Sequence, residues 1–169
     1  MSDDPIRKFL ESREIRFQEY DGGDYEHKYV DFNFNGENTT IHVGLHYSEG
    51  GNVFTVYAMV NNKIPKKSVS EAIKLANRAN YTSRFGSMIV NEKTGGFWVR
   101  LANADTDTPD DVVFHAAVSN ACETIDHFFP ALMQIIYSGC TAEEAIDNLY
   151  SDDDENQGST PPPPPSGYV

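Results

Sequence analysis

The chain has 169 residues, of which 39% are hydrophobic and 12% aromatic, a composition typical of a globular protein rather than of a disordered one. Its formal net charge is -13, from 13 basic and 26 acidic residues. This charge repels phosphate backbones and anionic lipid surfaces, so it argues against direct binding of nucleic acid or membranes. Because no apolar stretch has the roughly 18 residues of a membrane span, and because the acidic N-terminus is unlike a signal peptide, a cytoplasmic protein is expected.

The composition changes after residue 150. Residues 152–155 are consecutive acids without a nearby Lys or Arg, and residues 161–165 are all proline. Such a segment cannot pack a core, so we predict a folded domain over residues 1–150 and a disordered, acidic, proline-rich tail over residues 151–169. The tail either keeps the chain soluble or presents its prolines to an SH3-type or WW-type groove. A basic polypeptide is the natural electrostatic complement of the acidic domain, although acidity by itself also favours solubility.

The pattern of apolar residues predicts the elements in chain order. They are a short helix from Pro5, strands over 30–35, 40–47 and 53–60, a helix over about 65–80, a hairpin over 87–90 and 97–102, a long helix over about 108–138, and a short helix from Thr141 that ends near Tyr150. A further strand over 16–20 has a weaker pattern, and Pro130 predicts a kink or break of the long helix near Phe129. The fold class is therefore α+β, with an antiparallel sheet of about five strands and helices packed on one face.

Four short segments carry a resemblance to a known family. They are Ile64-Pro65, Leu75–Asn80, Phe85-Gly86-Ser87 and Gly139–Ala145. Together with the element order, over about residues 5–150, they resemble the YbjN family of bacterial sensory transduction regulators, whose fold is similar to that of type III secretion chaperones. The resemblance implies a chaperone-like or regulatory protein that binds another polypeptide, and it supplies no catalytic residue and no cofactor.

Candidate partner-binding residues fall into two groups. In the hairpin, Trp98 points to the face opposite Phe97, together with Arg100 and with Tyr57 of the preceding strand. Exposed aromatic side chains on a sheet face are typical of protein contacts, unless a second layer of structure covers them. By analogy with the secretion chaperones, we expect this face or the long helix to bind a polypeptide and to form a homodimer. Pairing through the sheets and pairing through the helices would leave similar sequence patterns, so both alternatives stay open.

The second group is Arg78, Tyr81 and Arg84, near the end of the second helix. Together they could form an exposed recognition patch beside the hairpin. Alternatively, Arg78 acts with Asn77 and Asn80 to satisfy the last carbonyl groups of the helix.

Signals of metal or redox chemistry are weak. His42 and His46 lie on a strand, about 13 Å apart, too far to share one zinc ion. Cys122 and Cys140 are predicted to be reduced, because a continuous helix separates them by about 27 Å. We therefore predict no metal and no cofactor.

The rival hypothesis is an enzyme or a small-ligand-binding domain with a pocket between the sheet and the long helix. Glu123, Asp126 and His127 have helical spacing, which allows a carboxylate to orient an imidazole for general-base catalysis, with Arg100 beside them. A surface ion pair explains the same residues, and no nucleophile is indicated nearby, so a protein without enzymatic activity is expected.

Overall fold

The computed structural model describes residues 4–21, 27–48, 53–83, 86–103 and 111–157. The helices are α1 (Pro5–Ser12), α2 (Val69–Thr82), α3 (Asp111–Met133) and α4 (Ala142–Gln157), with a 3-10 turn (Lys66–Ser68) before α2 and a π turn (Gln134–Ser138) after α3. The strands are β1 (Phe17–Asp21), β2 (His27–Asn35), β3 (Thr40–Ser48), β4 (Phe54–Met59), β5 (Ser87–Asn91) and β6 (Gly96–Asn103). The predicted α+β class is confirmed.

The six strands form one antiparallel sheet in the order β1-β2-β3-β4-β6-β5. The sheet therefore has one strand more than the expected five, and the additional strand is the weakly predicted one, β1, at an edge. Along the central strands, buried and less buried residues alternate, as in the pattern of β4, because successive side chains point to opposite faces. One face of the sheet is thus apolar over the central strands.

The long helix α3 covers this apolar face. It packs against β3, β4 and β6, and the other helices pack beside it, with α1 and α4 against α3 and α2 against β5. The ring of Phe114 lies 5.9 Å from that of Phe9 in α1 and 5.0 Å from that of Phe54 in β4, measured between ring centroids. The helices and one sheet face therefore share a single core, as the sequence predicted.

The predicted break in α3 and the predicted end of α4 differ from the structure, whereas the predicted end of the long helical stretch at Ser138 is confirmed. The helix α3 is not broken near Phe129 but continues through Pro130 to Met133, and it ends in a π turn followed by Gly139 in the left-handed region, with φ 70°. The helix α4 ends at Gln157 rather than near Tyr150, so the first part of the predicted tail is helical. The predicted start of α3 at Thr108 and the proline run lie outside the described residues.

Asp4 connects α1 to the sheet. Its carboxylate caps α1 by accepting from the backbone N–H groups of Ile6 (3.1 Å) and Arg7 (3.2 Å), and it also accepts from Lys28 Nζ (2.8 Å) and the Tyr47 hydroxyl (3.1 Å). Burial by itself raises the pKa of Asp4, but these donors and the charge of Lys28 outweigh burial and hold the pKa below its ordinary value. The folded state therefore favours the ionised carboxylate.

Replacing Asp4 by Asn is expected to make the free energy of unfolding less dependent on pH in the acidic range. A carboxyl group with a lowered pKa in the folded state stabilises the fold above its ordinary pKa of 3.8, and this contribution is lost as the pH falls through the folded-state value. The free energy of unfolding, measured in urea between about pH 6 and pH 2, should therefore fall less steeply in Asp4→Asn than in the original chain. The exposed Asp147→Asn variant is the control, and equal slopes in all three proteins would contradict the prediction.

Candidate functional site

The sheet face opposite the helices is a broad surface that the described part of the chain leaves uncovered. The strand register places residues of this face in rows that cross the sheet. The central row crosses all six strands in the order Gln18, Asp31, Gly44, Tyr57, Arg100 and Ser87. In the described part of the chain, the helices pack on the other side of the sheet, where they share a core with its apolar face.

An aromatic ladder crosses four strands of this face. Ring centroids are 5.5 Å apart for Tyr20 and Tyr29, 4.6 Å for Tyr29 and His46, and 5.3 Å for His46 and Tyr57. Gly44 allows Tyr29 to lie against the strand, because a Cβ atom at this position would be 2.8 Å from the tyrosine hydroxyl oxygen. The ladder thus depends on a glycine in the middle of a strand, where glycine is otherwise unfavourable.

The predicted residues Tyr57, Trp98 and Arg100 lie together on this face. Tyr57 pairs with Arg100 across β4 and β6, and Trp98 pairs with Met59 in the next row. Tyr57 and Trp98 are partly buried by their neighbours, whereas Arg100 is exposed. The sequence pattern did not indicate Tyr20 and Tyr29 as candidates, and it placed His46 on a strand without a binding role. Strand alternation puts each of them on the face of Tyr57 once the register is known.

The charge of this face is nearly balanced. Among the described residues that the strands present here, Asp31 and Arg100 are the only Asp, Glu, Lys or Arg side chains. They belong to the same row but are three strands apart, or about 14 Å, so they cannot form an ion pair within one chain. In a chain of net charge -13, the uncovered face is therefore close to neutral.

The second predicted group lies elsewhere. Arg78 and Tyr81 are on α2, on the helical side of the sheet, and Arg84 lies outside the described residues. Arg78 approaches Glu143 of α4 (3.6 Å), and Tyr81 is 93% exposed. The nearby Asn80 has a structural role, because its side-chain amide donates to the Met88 carbonyl (3.0 Å) and accepts from the Met88 N–H (2.6 Å), which attaches α2 to β5.

Glu123, Asp126 and His127 line one cleft of about 840 Å³ at the β2–β3 turn. The Asp126 carboxylate, 7% exposed, accepts hydrogen bonds from the backbone N–H groups of residues 37, 38 and 39, at 2.8 to 3.2 Å. Its lone pairs are therefore engaged in holding the turn. Arg100 does not join this cleft, because it lies on the uncovered face of the sheet.

Asn38 of the same turn compensates for Pro130. Proline has no N–H group, so the carbonyl of Asp126, four residues earlier, lacks its helical donor. The Asn38 side-chain amide donates to this carbonyl at 3.2 Å. The turn between β2 and β3 thus replaces a missing helical hydrogen bond, which explains why α3 continues through the proline.

The histidine and cysteine side chains that were considered for metal or redox chemistry make the contacts of strand and core residues. His42 lies on β3, 3.6 Å from Asp31 and 3.4 Å from Asn33, and no cluster of three or more His, Cys, Asp or Glu side chains that fits a metal ion occurs among the described residues. Both cysteines are free, and burial raises the pKa of the Cys122 thiol to about 12. This thiol is protonated at neutral pH and packs as a core residue.

Comparison with known proteins gives no relative: no protein-family model, no curated protein and no solved structure matches the chain. Across the part of the chain that the structure describes, none of the helices combines the length and the hydrophobicity needed to cross a membrane.

Replacing Asp126 by Ala is expected to destabilise the fold by about 2–4 kcal/mol, because three backbone N–H groups lose a charged acceptor. Urea unfolding followed by the fluorescence of Trp98, the single tryptophan, measures this change. Glu123→Ala, an exposed change in the same cleft, should alter stability by less than about 0.5 kcal/mol. Equal losses in the two variants would show that the turn does not depend on Asp126.

Proposed function

We propose that this chain is a non-enzymatic protein-interaction module, chaperone-like or regulatory, whose uncovered sheet face binds another polypeptide, and that this polypeptide is a second copy of the chain. The observation that carries the proposal is the aromatic ladder on the face that the described helices leave uncovered. Aromatic side chains and Met are enriched in protein interfaces because they bury a large area with little loss of conformational freedom. The resemblance to the YbjN family and the secretion chaperones supports the same class of function.

The dimensions of the face suit a stable interface. Six strands spaced about 4.8 Å apart, each presenting residues over roughly 20 Å, give a face on the order of 25 Å by 20 Å. Side chains roughen this surface, so its accessible area approaches the roughly 800 Å² that each partner contributes to a standard protein interface.

The charges of the face favour a second copy in a two-fold arrangement. Three strands lie on each side of the line between β3 and β4, and Asp31 on β2 and Arg100 on β6 are equally far from this line, in one row. A two-fold axis parallel to the strands along this line brings Asp31 of each copy opposite Arg100 of the other. Two sheets packed about 10 Å apart leave these side chains within reach of each other.

The proposed compartment of this chain is the cytoplasm. Both cysteines are free, which agrees with a reducing compartment. The net charge of -13 disfavours nucleic acid and anionic membranes as partners.

Sedimentation velocity of the full chain over a range of concentrations tests the proposal. The original chain should be a dimer, and Trp98→Ala should weaken it by about 2 kcal/mol, or roughly 30-fold in Kd, as for a large aromatic residue that is buried in an interface. Val112→Ala, which removes an apolar side chain that is 73% exposed on α3, should leave the Kd unchanged.

Charge reversal tests the two-fold arrangement itself. Arg100→Asp and Asp31→Arg should each weaken the dimer by creating like-charged pairs, and the double variant should recover most of the lost affinity. Lys67→Asp, an exposed reversal on the helical side, is the control. A monomeric original chain would exclude the second copy and leave the face for a different polypeptide. A dimer unaffected by all three substitutions on the face would move the interface to the helices.

A further inference from the structure

An apolar cleft of about 330 Å³ lies on the helical side of the molecule, between the end of α2, α3 and α4. Phe128 is buried and Ile146 half-buried, so they form its base. Tyr81 and Tyr150, which are 93% and 44% exposed, flank it. A tyrosine as exposed as Tyr81, next to an apolar cavity, presents a ring face that nothing in the described part of the chain covers.

The few polar groups of this cleft include hydrogen-bond donors. Asn77 and Arg78 belong to its lining and carry amide and guanidinium N–H groups, and the tyrosine hydroxyls add O–H groups. No carboxylate is part of the lining. The cleft therefore suits an occupant that combines apolar surface with hydrogen-bond acceptors.

A run of prolines has this combination. Its rings are apolar, it has no backbone N–H group, and in the polyproline II conformation its carbonyl groups make no internal hydrogen bonds. Grooves lined by aromatic side chains are the usual receptors of such segments in proteins. The chain itself contains five consecutive prolines at positions 161–165, beyond the end of α4.

The position of α4 brings this run within reach. The helix contributes Ile146 and Tyr150 to the cleft and ends at Gln157, about 10 Å further along its axis. Residues 158–160, which are Gly, Ser and Thr, span up to about 10 Å when extended, and five prolines span about 15 Å in polyproline II. The chain can therefore turn after α4 and return along it to Tyr150 and Tyr81 without unwinding the helix.

Because the proline run is joined covalently to α4, even a weak contact with the cleft is formed in most molecules. A short linker gives an effective concentration of about 1 mM, so a contact with an intrinsic Kd of about 0.1 mM is formed in roughly nine-tenths of the molecules. We propose that Pro161–Pro165 binds in the cleft between Tyr81 and Tyr150 of the same chain. The run then acts as an intramolecular occupant that any external ligand of the cleft must displace, on the side of the sheet opposite the face assigned above to a second copy.

Amide NMR spectra of the full chain test this inference. The original chain is compared with a full-length variant in which all five prolines are replaced by serine. The amide signals of residues 77–82 are expected to differ between the two proteins, because α2 is remote in sequence from the changed positions. A synthetic peptide of residues 158–169 should shift the variant toward the original spectrum, and it should bind the original chain about 10-fold more weakly, since the cleft is already occupied.

Tyrosine substitutions provide the matched controls. Each tyrosine substitution is made both in the original chain and in the variant whose five prolines are serines. With Tyr81→Ala, the α2 and α4 signals of these two proteins should coincide. With Tyr137→Ala, which changes a tyrosine that is 77% exposed outside the cleft, the signals should still differ. Identical α2 signals in the original chain and the serine variant would overturn the inference. A difference that disappears on 20-fold dilution would also overturn it, because the prolines would then occupy the cleft of another molecule.

Discussion

The packing of α3 against one face of the sheet is the constraint on which the rest of the structure depends. The apolar face is continuous over the central strands, and the side chains that α3 buries against it include Phe114, Ile125 and Leu132. Burying each large apolar side chain contributes about 1.5–3 kcal/mol, so covering this face is the dominant favourable term of folding. Because all the described helices are needed on this side, the other face keeps its tyrosines, its histidines and Trp98 at the surface.

The contact of Asp126 with the β2–β3 turn fixes how α3 lies on the sheet. The carboxylate accepts from consecutive N–H groups of the turn, and Asn38 returns a hydrogen bond to the carbonyl that Pro130 leaves without a helical donor. A Cβ atom at Gly36 would collide with the same carboxylate, so the glycine is part of the contact. A carboxylate that the sequence places in a possible catalytic group thus holds two distant elements together, and its buried oxygens accept hydrogen bonds from backbone donors.

The two candidate binding surfaces are on opposite sides of the sheet and differ in chemistry. The uncovered face is broad, aromatic and nearly neutral, which suits another folded surface. The cleft between α2 and α4 is apolar, with a few hydrogen-bond donors in its lining, which suits an extended segment. Since no described residue belongs to both, occupation of one leaves the other accessible. The sedimentation and NMR experiments therefore report on separate events.

The sequence by itself determined the local features. Alternation in β2 and β3 and the helical spacing in α2 indicated which side chains face the core. Alternation in the hairpin strand β6 placed Trp98 and Arg100 on the opposite face, where Tyr57 was expected beside them. The tertiary structure alone decided which distant segments meet. It made the weakly patterned β1 an edge strand and put β6 between β4 and β5, aligned Tyr20, Tyr29 and His46 into a ladder, and separated Arg78 from the sheet. The reason is physical: periodicity encodes the orientation of a side chain within its own element, whereas register and proximity depend on packing and hydrogen bonds between elements, which no local pattern specifies.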